Sequence, residues 1–406
     1  MPTIAYIANQ FPATVEPYVE DEILELRCRG ARVITSTARS AGHSCPTPDV
    51  SLQPLQWFAL LESLLLLVRR ASAIGPIFVR ILFHGRESLN RRLRCLLHTW
   101  LGAYYAVLLQ PFDVDHIHAH HGYFSSWVAM VAARLLQVDF SLTLHGSDLF
   151  LHGAYLDTKL TECAFCLTIS EFNRAYILRK FPHVSPAKII VQRLGVDPSS
   201  VPACAPAIRT RCMVLLSVGR LHPVKNHSFL LDVCARLRDQ GVDTLCLIAG
   251  EGSERRFLEQ KIEALGLANR VSLLGHIPHG ELEPLYTLAD VVVLTSRSEG
   301  IPLALMEAMM REKLVLAPAI TGIPELVKDG QTGFLFQPGS LDEFVARLWW
   351  LRGAAPSLDH VRHAARAHAL AHFDRNTNLH SFGDVFLARM RRNPIPVYES
   401  AVLQQI

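Results

Sequence analysis

The sequence has no regular cysteine framework. Its nine cysteines are scattered, which excludes a disulfide-stapled scaffold and fits free thiols in a reducing compartment. Cys163 and Cys166 form one C-x-x-C, but no second pair accompanies it and Cys166 enters an apolar, strand-like run. A zinc or redox centre is therefore not expected there. A strong charge of either sign is also missing. Lys+Arg 40 against Asp+Glu 37 leaves a formal net charge of +3, and no nucleic-acid partner is expected. No uninterrupted apolar run reaches the ~18 residues that a membrane-spanning helix needs. Met1 to Ala8 is too short for a signal peptide and carries no basic residue ahead of its apolar run.

What is present is apolar material in quantity. Hydrophobic residues make up 50% of the 406 positions, enough for sizeable cores in about two domains. Thr3 to Ala8 reads as a strand, Tyr18 to Arg29 as a helix with Val19, Ile23, Leu24 and Leu26 at helical spacing, and Ala31 to Thr35 as a second strand after a stop at Gly30. This β-loop-α-β opening predicts an α/β, doubly wound domain whose ligands sit at the carboxyl ends of the strands.

Residues 51–110 depart from that pattern. Trp57 to Val68 and Ala71 to Phe83 are almost wholly apolar, and arginines follow each run: Arg69 and Arg70, then Arg86, Arg91, Arg92 and Arg94. Two readings are open, namely helices lying on a membrane interface or a helical insertion packed on its own domain.

The tract His116-Ile117-His118-Ala119-His120-His121-Gly122 comes next. As a strand it places His116, His118 and His120 on one face, which is compatible with a metal site, a cleft role or core packing. His120 and His121 fall at the carboxyl end, ahead of a helix over Ser125 to Leu136. Strand Phe140 to Leu144 ends in His145-Gly146-Ser147-Asp148. Gly146 would turn the backbone and leave the imidazole facing a cleft; the alternative is a simple cap and turn. Cys166 to Ile169 and Ile189 to Gln192 add strands. Residues 195–211, with their prolines and serines, read as a linker.

The second half opens with strand Cys212 to Gly219, loop Arg220 to Asn226 and helix His227 to Arg238. Arg220 and Lys225, beside a helix N-terminus, suit a pyrophosphate: arginine offers a flat fork and lysine a point charge. Strand Leu245 to Ala249 leads into Gly250-Glu251-Gly252-Ser253, where Arg255 stands in place of the third glycine of a dinucleotide fingerprint. Strand Val271 to Leu274 leads into Gly275-His276-Ile277-Pro278. Strand Asp290 to Thr295 then runs into Arg297-Ser298-Glu299-Gly300-Ile301-Pro302-Leu303-Ala304-Leu305-Met306-Glu307. Gly300 permits a tight turn, Pro302 suits a first helical turn, and Leu303 to Met310 are helix formers. The free N–H groups of such a helix start attract anions. Glu299 and Glu307 can face one cleft and accept ligand hydroxyls; the plainer reading is a surface turn with two solvated acids. Strand Leu314 to Ala317, Thr321-Gly322-Ile323-Pro324-Glu325, a helical stretch over Leu341 to Leu351 and a last helix over Leu379 to Arg391 complete the chain.

Taken together, Gly219-Arg220 with Lys225-Asn226, Gly250-Glu251-Gly252, Glu299-x7-Glu307 and Gly322-Ile323-Pro324-Glu325 closely resemble the retaining glycosyltransferases of family 4. These have the GT-B fold, two facing Rossmann-like doubly wound domains with an interdomain cleft. Phe11-Pro12 with Glu16, the histidine tract and His145-Gly146-Ser147-Asp148 resemble the exopolysaccharide, colanic-acid-type branch. The resemblance implies an acceptor-side domain over 1–198, a linker over 199–211, a nucleotide-sugar domain over 212–378, and a C-terminal helix over 379–406 returning to the first domain.

It also implies roles. Arg220 and Lys225 hold the donor diphosphate, joined by the N–H of Leu303, with Gly300 and Ile301 in the same turn. Glu307 accepts ribose hydroxyls and Glu299 orients the donor sugar. His145 lies by the anomeric centre. Gly219, Gly250 and Gly252 shape the donor loops, and His276 and Ile277 border the base. Glu16, His118, His120 and His121 face the acceptor. No metal or cofactor is expected, because two cations can offset the leaving diphosphate. Asp113-Val114-Asp115 spells the D-x-D that holds a metal in other transferases, but it precedes its strand, at the wrong end for a site. One departure is that loop Asn9 to Val15 lacks the glycine pair of many relatives. The expected partners are a nucleotide-sugar and a saccharide or polyprenyl-linked acceptor, at the cytoplasmic face of the membrane. A nucleotide-sugar epimerase of similar architecture and a non-catalytic scaffold are the alternatives.

Overall fold

The computed structural model describes residues 1–9, 18–38, 47–84, 87–150, 153–200 and 212–392. Phe11, Pro12, Glu16 and nearly all of the linker at 199–211 lie outside them. The chain forms two compact units. The first comprises Met1–Ile169, Arg174–Gln192 and the chain from Leu379; the second comprises Ser170–Asn173 and Arg193–Asn378.

The first unit is built on strands β1 (Thr3–Ala8), β2 (Arg32–Thr37), β3 (Val50–Ser51), β4 (His116–His120), β5 (Asp139–Leu144), β6 (Phe165–Thr168) and β7 (Ile189–Val191). The second is built on β8 (Met213–Val218), β9 (Thr244–Ala249), β10 (Val271–Gly275), β11 (Val291–Val293), β12 (Leu314–Pro318) and β13 (Phe334–Phe336). Their orders are β3-β2-β1-β4-β5-β6-β7 and β10-β9-β8-β11-β12-β13, and β1–β4 and β8–β11 pair in parallel. The order reverses at β1/β4 and at β8/β11, so each unit has one switch point, where doubly wound sheets open a crevice for ligands. Of the four edge strands, β3 and β13, two and three residues long, were not read from the sequence. Strand β11 is three residues long, shorter than the apolar run that encodes it, because Leu294 to Ile301 has already left the sheet.

Helix α1 (Tyr18–Cys28) covers one face of the first sheet. Helices α2 (Trp57–Arg69), α3 (Ala71–Leu82) and α4 (Leu89–Leu109) fill the segment expected to be an insertion, and α5 (Phe124–Leu136) follows β4. The C-terminal half of α4 is not accessory. Ala103, Tyr104, Tyr105, Ala106 and Leu109 are wholly buried against α5. Gly102 permits this crossing, since a Cβ there would lie 2.6 Å from Cβ of Val131. By contrast α2 buries only Ala59, Leu60 and Ser63. It leaves Trp57, Phe58, Leu61, Leu64, Leu65 and Val68 exposed, an apolar stripe at helical spacing facing outward. No helix among the described residues is long and apolar enough to cross a membrane.

Candidate active site

In the second unit the expected donor residues gather on the carboxyl edge of the sheet, around the β8/β11 switch. The loop after β8 is held down by backbone bonds: Gly219 N–H donates to Ala249 (2.9 Å), Leu221 N–H to Glu251 (2.9 Å) and Arg297 N–H to Val224 (2.8 Å). Gly250 adopts φ +154°, and a Cβ there would lie 2.0 Å from the Gly219 carbonyl oxygen. Only glycine lets these two loops touch. Asn226, left-handed at φ 55°, then starts the helix His227–Asp239.

This packing fixes Lys225. Its Nζ donates to Glu299 Oε1 at 2.6 Å, and the hydroxyl of Ser296 donates to the same oxygen at 2.6 Å. Both partners of the pair are mostly buried, with side chains 17% and 12% exposed. An ammonium has three donors, so the pair leaves Lys225 capacity for an incoming anion. Arg220 is exposed, and its side chain makes no hydrogen bond or ion pair among the described residues. Pro302 is the N-cap of helix Leu303–Met310 rather than a residue of its first turn. The N–H of Leu303, at the first helical position, has no intrahelical acceptor.

Glu307 lies deeper, 4% exposed. Tyr286 Oη donates to its Oε2 at 2.8 Å, and His279 Nε2 lies 2.8 Å from its Oε1. The hydrogen bond to Glu307 raises the pKa of His279 above its ordinary value, against partial burial. The carboxylate is thus oriented but keeps spare lone pairs. His276 is exposed and Ile277 half-buried on the adjacent β10 exit loop. Sequence reasoning missed Tyr286 and His279. A tyrosine in a short helix has no periodic signal, and only tertiary structure shows which carboxylate it meets.

In the first unit, β4 aligns its histidines with polar partners. Register pairs His118 with Tyr6 on β1 and with Ser141 on β5. His116 Nε2 and His118 Nδ1 each lie 2.7 Å from Ser141 Oγ, and His118 Nε2 lies 3.0 Å from Thr143 Oγ1. Burial lowers the pKa of His116 to about 3 and that of His118 well below its ordinary value, so both are neutral. His120 Nε2 lies 2.9 Å from Glu22 Oε2, and His120 Nδ1 lies 3.2 Å from His145 Nε2. Tyr6 Oη donates to the same Glu22 oxygen. These bonds assign the tautomers: His120 gives Nε2–H to Glu22 and accepts at Nδ1 from Nε2–H of His145. A buried chain therefore runs from Glu22 through His120 to His145.

His145 is itself anchored. Asp148 accepts the backbone N–H of His145 (3.1 Å), Gly146 (2.8 Å) and Gly122 (2.9 Å), and His121 Nδ1 lies 3.6 Å from it. Burial alone would raise the pKa of Asp148; the His121 ring and these N–H donors outweigh it and hold it below the usual carboxylate range. Burial, with His121 and His120 nearby, lowers the pKa of His145 and keeps it neutral.

Glu22, His118 and His120 bring one ligand atom each within 4.8 Å of one another, a spacing that could hold a cation. Every ring nitrogen of the two histidines already has a protein partner, however. His118 and His120 are 0% exposed. They stand behind the surface, not on it as an acceptor-facing role would need, because β4 is an inner strand covered on both faces. His121 is 5% exposed, with a left-handed backbone (φ 67°) at the strand exit. Cys163 and Cys166 are buried free thiols. Glu22 and Tyr6 escaped sequence reasoning because an acid on a helix and a tyrosine in a strand look like a solvated residue and a core residue.

Two Rossmann-like units, each with its polar residues at its switch point, define the GT-B class. Comparison with known proteins agrees. Residues 206–368 match the family model for glycosyl transferases group 1, and residues 15–200 match that for glycosyltransferase family 4. The chain belongs to this family and is a glycosyltransferase. It is similar to a glycogen synthase of Mycobacterium tuberculosis, 28% identical over 75% of this chain and 72% of that protein. It is also similar to the amylovoran biosynthesis glycosyltransferase AmsK of Erwinia amylovora, 28% identical over 68% of this chain and 70% of that protein. Among solved structures, Anabaena HepE in complex with UDP and glucose superposes with a TM-score of 0.68 at 18% identity, over 96% of this chain and 100% of that one.

Proposed function

We propose that the protein is a retaining, metal-independent transferase that moves a sugar from a nucleotide-sugar to a saccharide or lipid-linked saccharide in cell-surface glycan synthesis. The observation that carries the reading is the Lys225–Glu299 pair, 2.6 Å apart, at the carboxyl edge where sheets of this kind bind phosphates. Breaking the bond between the anomeric carbon and the diphosphate leaves negative charge on the nucleotide and positive character on the sugar. Lys225, Arg220 and the N–H of Leu303 offset the first, and preorganised charge of this kind costs no reorganisation during reaction. Glu299 accepts hydroxyls of the sugar and Glu307 those of the ribose. The acceptor oxygen attacks on the face the diphosphate leaves, and its proton passes to the departing phosphate oxygen, so no enzyme carboxylate forms a covalent intermediate.

In the first unit, neutral His145 stands at the sugar. His118 and His120 hold it rather than touch the acceptor, and Glu22 fixes their order. The exposed stripe of α2, flanked by Arg69 and Arg70, suits reversible contact with an anionic membrane surface on the cytoplasmic side. AmsK, named for amylovoran biosynthesis, supports a surface-glycan role.

The test is incubation with a panel of nucleotide-sugars and oligosaccharide acceptors, read by NMR at the anomeric proton of the product. Retention of the donor's configuration is expected. An inverted product sinks the retaining mechanism. Conversion of donor to its epimer without acceptor would make the protein an epimerase instead.

A further inference from the structure

The first unit contains an open cavity of about 1020 Å³ that the site above does not use. One wall is helix α4, which presents Arg91, Arg94, Cys95 and His98, one helical face, to the interior. Lys159 and Lys180 line the cavity as well. Two acids also line it, Glu87 and Asp157, but both are engaged by Arg80: its Nη2 lies 3.0 Å from Glu87 and 2.9 Å from Asp157. Lys159 is 2% exposed, and its Nζ donates to the carbonyls of Gly122 (2.7 Å) and Tyr123 (2.9 Å). The side chains of Arg91 and Arg94 have no hydrogen bond or ion pair among the described residues. The net field in the cavity is positive.

Two further observations point to a ligand. Asn9 Oδ1 and Tyr155 Oη are both buried and both lack a hydrogen-bond partner among the described residues, and both residues line this cavity. Buried polar atoms without partners are uncommon, and each costs free energy until something fills it. Outside the cavity, α4 turns Leu89, Leu93 and Leu97 to solvent, and α2 its own apolar stripe. A cationic cavity beside an apolar surface matches an amphiphile with an anionic head.

We propose that this cavity is a phosphate-binding pocket for the headgroup of an amphiphilic acceptor, with Arg91 and Arg94 gripping the phosphate and the exposed faces of α2 and α4 taking the hydrocarbon. This deepens the transferase reading and rests on it. The cavity reaches Gly122 and Tyr123, directly after the histidine strand. A phosphate held there keeps the acceptor on the same edge of the sheet as His145.

The test uses the full chain and three kinds of vesicle: phosphatidylcholine alone, phosphatidylcholine with phosphatidylglycerol, and phosphatidylcholine with a polyprenyl diphosphate at equal surface charge. Binding is read by co-flotation, with inorganic pyrophosphate as soluble competitor. Polyprenyl diphosphate vesicles should bind about tenfold or more tightly than phosphatidylglycerol vesicles, as charge-assisted hydrogen bonds would give. Pyrophosphate should erase that margin. The double variant Arg91→Gln, Arg94→Gln should lose it too, while Leu61→Ser should weaken binding to every charged vesicle alike. Equal binding to the two anionic vesicles, or an unchanged margin in the double variant, overturns the pocket. Thermal stabilisation by nucleoside diphosphates, measured on the same samples, separates this failure from that of the transferase reading. If the nucleotides stabilise but the margin is absent, only the pocket is wrong.

Discussion

The two units share one strand order, to which the first adds a seventh strand, and differ in where they keep their polar groups. In the second, the charged residues ride on loops at the sheet edge: Lys225 and Glu299 meet across the β8/β11 switch, and Arg220 is exposed. In the first, the polar residues are built into the sheet. Tyr6, His116, His118 and His120 are each at most 1% exposed. The second unit can therefore lose an exposed loop residue such as Arg220 with little effect on its fold. The first has no such freedom, because its site support and its core are the same side chains. The same scaffold serves one unit as a platform for charge and the other as a matrix that orders imidazoles.

Substitutions should separate the units on this basis. Lys225→Ala is expected to raise the barrier behind kcat by about 2–4 kcal/mol of lost transition-state stabilisation, with a moderate fall in Tm, because the loop is held by backbone bonds but Glu299 loses its cation and keeps only Ser296. Steady-state kinetics beside a melting curve checks both halves. A large drop in Tm with unchanged kcat would erase the contrast. Glu22→Ala should lower both quantities. It removes the acceptor that the hydroxyl of Tyr6 and Nε2 of His120 share, and these two atoms, 2.6 Å apart, are left with only each other, a loss of about 1–3 kcal/mol. Chemical denaturation measures that loss, and a stable variant with full activity would show that the chain to His145 is idle.

Acid should also tell the units apart. Folded His116, His118 and His145 have pKa values depressed below the ordinary 6.5, that of His116 to about 3. The unfolded chain therefore binds protons near pH 6.5 that the folded unit refuses. Stability is full above that pH and falls as pH drops toward the folded values, by up to about 1.4 kcal/mol per pH unit for each histidine. In the second unit His227 behaves in the same way, lowered to about 4, but His279 is raised and works in the opposite direction. Hydrogen exchange between pH 7 and pH 5 should thus deprotect β4 and β5 before β8 and β9, once intrinsic rates are removed. Simultaneous loss would count against the buried-imidazole account. The smallest effect is expected at the outward stripe: Leu61→Ser should change stability by no more than about 0.5 kcal/mol, and a larger loss would mean that α2 is packed rather than displayed.

The same contrast explains what could be read from the sequence. Gly219, Lys225, Gly250 and Glu299 sit in turns between strands and Glu307 in the helix that follows one of them, where residue type and spacing carry the geometry, so the gathering of these residues in the second unit was legible. The strands of both sheets were legible too, apart from the short edges β3 and β13. In the first unit the histidine tract announced itself, but its meaning did not. Whether three alternating imidazoles bind a metal, face a cleft or pack inside depends on Ser141, Thr143, Glu22 and Tyr6, which parallel register and a covering helix bring together from distant positions. The segment 51–110 was half legible. Its apolar runs and arginines were plain, yet only packing shows that Tyr104 and Tyr105 are core while Trp57 and Phe58 are not.

The central claim is a donor site that carries its own positive charge. It is tested most directly by thermal unfolding of the full chain with UDP, GDP and ADP, each with and without EDTA. A nucleotide at about 100 times its Kd should add ~2.7 kcal/mol and raise Tm by several degrees. The account predicts such a rise with one nucleotide and no change on adding EDTA. A rise abolished by EDTA, or no rise with any of the three, would contradict it.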